Sequence, residues 1–267
     1  MIGKLIVPLD GSPMAERAVG LADALAEAGD LPVVLFASRW DLDSEHAERY
    51  LAAQAATMRD RDVEFRVLLD ASAPVAIARE LEMIPDSMAV MSSHGRSGVG
   101  QAVLGSVTEE VLRASPRPVL VIGPHWGGGQ LDKGSSLLMA IDGELSADTL
   151  LPPVIDLARA FHLHVWIVEV FPPGPKPDVS PAHESSAVHR VAMRLQEADV
   201  PADWEVLHGE EPADEILDFA DSHDVSVLAL TTRARRGVKR VALGSVAMRV
   251  VRHARLPVLL TRAASPA

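Results

Sequence analysis

The chain has 267 residues, enough for two domains of ordinary size. Apolar residues make up 48% and charged residues 23%, a balance typical of globular proteins rather than disordered or fibrous ones. A net charge of −12 argues against a surface that binds nucleic acid or anionic membrane. The absence of cysteine excludes disulfides, thiol catalysis and cysteine-bound zinc.

No apolar run reaches the roughly 18 residues that cross a bilayer. The apolar start of the chain is interrupted by Pro8 and Asp10, too early for a signal peptide. We therefore expect a cytoplasmic protein without membrane attachment.

The chain repeats itself. The segment KLIVPLDG, which contains Asp10, matches SLLMAIDG, which contains Asp142, at an offset of 132 residues. Further on, VLGSV around Gly105 matches ALGSV around Gly244, now at an offset of 139. The proline-rich stretch 171–181 can hold the extra residues as a stiff loop. Repeats on this scale predict tandem copies of one domain.

We place the two domains at residues 1–126 and 134–267, with a glycine-rich linker between them. In the first copy, apolar runs predict strands at Leu5–Leu9, Val33–Ala37, Val63–Leu69, Met88–Met91 and Val119–Ile122. Helices are predicted between them at Met14–Ala28, Ser44–Arg59, Ala73–Met83 and Ser106–Ala114.

The pattern of each copy predicts an α/β fold. Several strands are continuously apolar, as in parallel strands covered on both faces. Alternating strands and helices imply right-handed crossovers and a doubly wound sheet with helices on both faces. Ser12-Pro13 is a typical helix start. In the second copy, Pro152-Pro153 predicts a first helix that starts late or kinks.

Ligands of open α/β sheets bind beyond the carboxyl ends of the strands. The first strand is followed by Asp10-Gly11-Ser12, and the fourth by Ser92-Ser-His-Gly95-Arg96. A helix then begins at Gly105-Ser106. Glycines and the N–H groups of a helix N-terminus suit an anion, so a phosphate fits between Gly95 and the amides of Gly105, Ser106 and Val107.

Spacing alone leaves a structural alternative open. Ser106 followed by Glu109 has the pattern of a capping box, and Gly95 can simply end a strand.

Taken together, these motifs resemble the universal stress protein family in its tandem form. Members that bind ATP carry Gly-x2-Gly-x9-Gly-Ser/Thr after the fourth strand and an aspartate after the first, and this chain has Ser92-x2-Gly95-x9-Gly105-Ser106 and Asp10. The resemblance implies two five-stranded parallel sheets of order 3-2-1-4-5. It also implies adenine and ribose near Asp10 and the backbone at Ala37, with phosphates on Gly95, Gly105 and Ser106. The candidate ATP site is then Asp10, Gly11, Ala37, Ser92, Gly95, Arg96, Gly105, Ser106 and Val107.

Both copies depart from this family pattern. Ser92 replaces the first glycine, although serine is small and its hydroxyl can donate a hydrogen bond. In the second copy the run Thr231-Thr-Arg-Ala234 has lost both leading glycines. Asp142, Gly244 and Ser245 remain as a second candidate site.

The end of the chain is basic. Residues 225–267 contain nine Lys or Arg and no acid, with Arg235 and Arg236 in the loop that faces the second candidate site. Such a run is either a solvated face or a set of arginines that binds an anion.

Other chemistry has little support. The histidines, including His162 and His164, do not show a convincing set of metal ligands. Hydrolase, metalloprotease and P-loop motifs do not occur.

Three functions stay open. The first is a non-enzymatic regulator that binds ATP, alone or with Mg²⁺, in the first domain. The second is a nucleotide-free scaffold, and the third is a slow ATPase, although only Arg96 offers a cation in the first phosphate loop. We further expect the fifth strands, Pro118–Ile122 and Pro257–Leu260, to pair within the chain, because an apolar unpaired edge invites pairing. A homodimer is a second option.

Overall fold

The structure is a computed structural model that describes residues 2–38, 44–59, 63–68, 72–94, 104–128, 134–174, 181–232 and 244–262. We call the half that ends with the fifth strand domain 1 and the half that begins with the sixth strand domain 2. Gly95, Arg96, Arg235 and Arg236, and with them most of the two predicted phosphate loops, lie outside the described residues.

Domain 1 alternates strands and helices as its sequence predicts. Its elements are β1 (Lys4–Leu9), α1 (Pro13–Gly29), β2 (Val33–Ser38), α2 (Ser44–Ala55), β3 (Val63–Leu68), α3 (Ala73–Met83), β4 (Ser87–Ser92), α4 (Ser106–Ala114) and β5 (Val119–Ile122). The predicted Ser12 cap is present, since its hydroxyl accepts the Ala15 N–H at 3.2 Å and Pro13 opens the helix.

Domain 2 repeats the same order. Its elements are β6 (Ser136–Ile141), α5 (Glu144–Phe161), β7 (His164–Phe171), α6 (Pro181–Glu197), β8 (Ala202–His208), α7 (Pro212–Ser222), β9 (Val225–Thr232), α8 (Ser245–His253) and β10 (Val258–Arg262).

The strands form one ten-stranded sheet in the order β3-β2-β1-β4-β5-β10-β9-β6-β7-β8. Each half has the predicted order 3-2-1-4-5, and strands within a half pair in parallel. One pair is antiparallel, with Leu120 opposite Leu259 where β5 meets β10. The sheet is therefore mixed but mostly parallel.

Helices cover both faces of the sheet, which explains the continuous apolar runs. Two layers of buried side chains result, one on each face, and both extend across the two domains. The central strands are almost wholly buried, whereas the outermost strands β3 and β8 are half exposed.

The two domains also meet beside the β5–β10 pair. Gly123 follows β5 and packs against α8, so close that an added Cβ would overlap the Val251 carbonyl oxygen. At the equivalent position of domain 2, the last residue of β10, the Arg262 guanidinium donates to the Arg113 carbonyl at the end of α4, at 3.3 Å. Each of these two helices thus ends against the other domain.

Pro152-Pro153 predicted that the first helix of domain 2 starts late or kinks, and the late start is wrong. Helix α5 begins at Glu144 and continues through both prolines to Phe161. A proline inside a helix removes one hydrogen bond and crowds the preceding turn. Here burial compensates, because Leu151, Val154 and neighbouring apolar residues of α5 lie in the core.

Candidate nucleotide site

A cavity of about 270 Å³ opens at the carboxyl edge of the domain 1 sheet. It lies where β1 and β4 send their connections to opposite faces, the place at which open α/β sheets bind ligands. Its lining residues are Pro8, Leu9, Asp10, Ala15, Phe36, Ser38, Ala73, Ile77, Met91, Ser92, Ser93, Gly105, Ser106, Val107 and Thr108. One wall is apolar and the other is built from the end of β4 and the start of α4.

The turn after β1 fixes the aspartate. The Asp10 carboxylate accepts the Ser12 N–H at 2.9 Å, and Gly11 between them has φ of 78°, in the left-handed region that favours glycine. Asp10 is the one carboxylate that lines the cavity among the described residues. Its position is set by the backbone, so it is available as a fixed polar group at the cavity edge.

Two hydrogen bonds join the end of β4 to the start of α4. The Gly105 N–H donates to the Ser93 carbonyl at 2.7 Å, and the buried Thr108 hydroxyl donates to the Ser92 carbonyl at 3.0 Å. These bonds hold the first turn of α4 against the cavity.

The helix start itself has no side-chain cap. Gly105 is the N-cap residue and Ser106 is the first helical residue, so the capping box that the spacing left open as an alternative does not form. Glu109 instead pairs with Arg113 one turn later, at 2.6 Å. The N–H groups of the first turn therefore remain as donors, which favours an anion there.

Gly105 is needed for packing as well as for a ligand. A Cβ at this position would lie 2.6 Å from the Ser93 carbonyl oxygen. A larger residue at 105 would therefore displace the backbone of the β4–α4 connection.

The structure brings together five of the predicted site residues: Asp10, Ser92, Gly105, Ser106 and Val107 line the same cavity. Gly11 and Ala37 do not line it, although Asp10, Phe36 and Ser38 beside them do.

Sequence reasoning missed the apolar wall, which is formed mainly by Phe36, Ile77 and Met91. Alternation along a strand could have found Phe36 and Ser38, because residues two apart on β2 face the same side of the sheet.

Ser92 does not serve as a free donor. Its hydroxyl donates to the His94 carbonyl at 2.7 Å. Beside it, the Ser93 hydroxyl and His94 Nδ1 form a hydrogen bond of 2.9 Å. His94 Nε2 is buried and has no hydrogen-bond partner among the described residues.

Tyr50 lies close to the turn after β1. Burial of its hydroxyl raises the pKa of Tyr50 well above the ordinary value, and the negative charges of Glu16 and Asp10 raise it further. The hydroxyl oxygen is buried. The neutral phenol is therefore strongly favoured in the folded protein.

We expect Tyr50 to resist alkaline titration. It is the only tyrosine of the chain, so phenolate absorbance reports on it directly. Unfolded protein should titrate near pH 10, and native protein only at higher pH. Because folding raises this pKa, stability is unaffected below about pH 10 and falls as the pH rises beyond it. A native titration midpoint near 10 would contradict the burial of this hydroxyl.

Domain 2 has an equivalent cavity of about 240 Å³. Asp142, Gly244 and Ser245, the second candidate site, all line it, as do Val170, Thr231 and Ala247. As in domain 1, the N-cap of the helix is a glycine without a side-chain cap.

The polar groups of this second cavity differ from those of the first. Val170 and Ala247 stand where domain 1 has Ser38 and Thr108, so two hydroxyls are lost. The buried Thr232 hydroxyl, at the position of Ser93, has no hydrogen-bond partner in the part of the chain that the structure describes. The described part of domain 2 shows no bond from Gly244 to Thr232 like that from Gly105 to Ser93.

A buried glutamate further separates the two sites. Glu169 occupies the position of Ala37, and its carboxylate accepts the Gly143 N–H at 2.9 Å. It places a second carboxylate next to Asp142, at the position where the family resemblance implies the base and ribose rather than the phosphates.

Within the described residues, no three His, Cys, Asp or Glu side chains come together in a way that could hold a metal ion. His162 ends α5, and His164 at the start of β7 lies 3.1 Å from the Asp203 carboxylate. The helices in the described part of the chain are all too short or too polar to span a membrane.

Comparisons of the sequence and of the fold with known proteins indicate the same family. The model of the universal stress protein family matches residues 1–123 and again 135–262. A universal stress protein of Mycobacterium tuberculosis (strain ATCC 25618 / H37Rv) is 25% identical over 97% of this chain and 96% of its own length.

Solved structures share the fold. A universal stress protein from Archaeoglobus fulgidus DSM 4304 superimposes with a TM-score of 0.76 at 18% identity, over 99% of this chain and 100% of that one. A protein of unknown function from Pseudomonas aeruginosa PAO1 gives 0.70 at 20% identity, over 98% and 93% of the two chains.

Proposed function

This chain belongs to the universal stress protein family, and we propose that it is a regulator that binds ATP in domain 1 and does not depend on catalysis. The observation that supports this most directly is the domain 1 cavity, which combines an apolar wall with Asp10 and the uncapped first turn of α4. Phe36, Ile77 and Met91 suit a flat base, and the amides of Ser106 and Val107 suit phosphate. Gly95 and Arg96 belong to the proposal from the sequence alone.

Mg²⁺ is compatible with this site as a companion of the phosphates. Mg²⁺ commonly takes one or two protein carboxylates together with phosphate oxygens and water. Asp10 supplies one such carboxylate, although it also holds the Ser12 N–H. Phosphoryl transfer needs positioned cations and an oriented nucleophile, and the described residues of the cavity lining include neither lysine nor arginine. These features favour a regulator over the alternative of a slow ATPase.

We also propose that the two domains, at 1–126 and 134–267, work as one unit held by β5 and β10. The antiparallel pair and the Arg262 contact support this arrangement. A homodimer and a cytoplasmic location remain predictions, to be tested by light scattering and by cell fractionation.

We expect one ATP per chain. The loss of hydroxyls and the buried Glu169 make domain 2 the poorer site. Calorimetry measures the stoichiometry, and mass spectrometry of small molecules released from denatured protein identifies what is retained on purification. Two equivalent ATP sites would refute the asymmetry. No binding at millimolar ATP leaves less than about 4 kcal/mol of affinity and would favour the nucleotide-free scaffold.

A further inference from the structure

The outermost strand of domain 1 has one unpaired side. Strand β3 pairs in parallel with β2 on its inner side, and in the part of the chain that the structure describes no strand pairs with its outer side. Large apolar side chains are exposed on this strand, since Phe65 is 42% and Leu68 is 38% exposed. An unpaired strand edge with apolar side chains is a template for another strand.

The residue order of β3 is symmetric about Phe65. Glu64 and Arg66 flank this residue, and Val63 and Val67 follow on the two sides. Successive side chains of a strand point to opposite faces, so the three apolar residues share one face and the two charged residues share the other. The structure agrees, since Val63 and Val67 pack against the core and the Glu64 carboxylate lies 3.3 Å from the Arg66 guanidinium.

This order makes β3 complementary to itself. In an antiparallel pair of two β3 strands centred on Phe65, each Glu64 stands opposite Arg66 of the other copy, and each Val63 stands opposite Val67. Directly facing residues stabilise such a pair when they carry opposite charges or are both apolar. The facing residues are the same whether Phe65 takes a hydrogen-bonded or a non-hydrogen-bonded position. A twofold axis at Phe65 therefore gives each residue from 63 to 67 a matching partner.

The ion pairs within the chain leave these two charged groups accessible. The Glu64 carboxylate accepts a hydrogen bond from Lys4 Nζ at 2.9 Å. The Arg66 guanidinium donates to Glu80. The side chains of Glu64 and Arg66 nevertheless remain 48% and 41% exposed, and a guanidinium has five N–H donors. A second copy therefore extends these pairs into a network of alternating charges, which stabilises more than isolated surface pairs do.

The other edge of the sheet lacks this symmetry. Strand β8 has Trp204 at the position of Phe65. Asp203 and Glu205 flank it, so an antiparallel pair of two β8 strands sets acid against acid. Trp204 also packs edge-on against His189, whereas no ring contacts Phe65 among the described residues.

A mixed contact between β3 of one copy and β8 of another is also less favourable. Glu64 then faces Glu205 in the antiparallel direction and Asp203 in the parallel direction, so one pair of facing acids is present in either case. Such a head-to-tail contact also leaves one free edge of each kind and continues into an open filament. The charges therefore favour pairing of β3 with β3.

We propose that the protein forms a symmetric dimer in which β3 of one copy pairs antiparallel with β3 of a second copy, centred on Phe65. The two ten-stranded sheets then join into one continuous sheet, and β8 is the outer edge at both ends. The contact involves a single strand edge from each copy, so it belongs to the small, transient class of interface, with a Kd on the order of 10–100 µM.

Sedimentation equilibrium of the full chain tests the dimer. No nucleotide is added, so the outcome does not depend on the proposed ATP site. The mass should rise toward twice the monomer value between about 5 and 500 µM protein. Over the same range, amide hydrogen exchange should slow in peptides from β3 and stay unchanged in peptides from β8. A chain that stays monomeric at about 500 µM, or slowed exchange in β8 instead of β3, overturns the proposal.

Variants assign the interface. Phe65→Lys should weaken the dimer at least tenfold, because it places two ammonium groups opposite each other at the twofold axis. Glu64→Lys, at a more exposed side chain, should do the same by setting an ammonium group against Arg66 in both pairs. Trp204→Lys, at the equivalent place of β8, is the matched control and should dimerise as the wild type does. A dimer of unchanged strength in a folded β3 variant, or an equal loss in the Trp204 variant, overturns the assignment to β3.

Discussion

Val107→Trp should reduce ATP affinity at least a hundredfold. Val107 is half-buried in the first turn of α4 and lines the domain 1 cavity. An indole at this position fills the space proposed for the nucleotide and obstructs the helix N-terminus. A hundredfold change is about 2.7 kcal/mol, within reach of such an obstruction. Calorimetry on the wild type and the variant measures the change in ATP affinity. Any ATP hydrolysis that persists in the variant does not arise from this site.

The repeat provides the control. Val246 has the same residue type, the same partial burial and the same place in the domain 2 cavity. Val246→Trp should leave ATP affinity unchanged while imposing the same local packing. An equal loss in both variants would point to a general disturbance of the fold, and a loss only in Val246→Trp would place the nucleotide in domain 2.

Gly123→Ala should destabilise the chain by about 3 kcal/mol, in the range of an overpacked core. A Cβ added at Gly123 would lie 2.2 Å from the Val251 carbonyl oxygen of α8, so a methyl group there overlaps the backbone of that helix. Neither atom is at the end of a flexible side chain, so one of the two domains must shift. Urea unfolding measures the loss, and a second transition in the variant would show the domains unfolding separately.

Gly20→Ala is the matched control for this substitution. Gly20 is exposed in the middle of α1, and an added Cβ there meets nothing within 4 Å. Alanine is the better helix former, so this variant should be more stable by about 0.5–1 kcal/mol. Destabilisation by both substitutions to the same extent would mean that the junction at Gly123 is not tightly packed.

Sequence patterns predicted the fold well because they report on burial and on local chain geometry. The apolar runs identify the strands of domain 1, and Ser12-Pro13 marks the start of α1 correctly. The motif around Gly105 also predicted that Ser92 and Val107 come together.

Contacts between distant segments were not predictable in this way. The role of Gly105 depends on the Ser93 carbonyl, which only the fold brings within 2.6 Å of the space for its Cβ. The helix that continues through Pro152 and Pro153 depends on the core around it rather than on local preference. Likewise, the sequence places Glu169 in a strand but does not indicate its hydrogen-bond partner. The bond from the Gly143 N–H to its carboxylate forms only because β7 pairs with β6 in the fold.

The single antiparallel pair, β5 with β10, has a consequence for how the protein can change over time. Because β5 and β10 run in opposite directions, the carboxyl edges of the two half-sheets lie at opposite ends of the ten-stranded sheet. These edges are about one strand length apart, on the order of 20 Å. Two partners could therefore approach the two cavities without meeting. In a symmetric dimer every substitution would appear at both ends at once. In one continuous chain it appears at one end only, and each end is free to acquire its own chemistry, as the exchange of alanine for Glu169 illustrates.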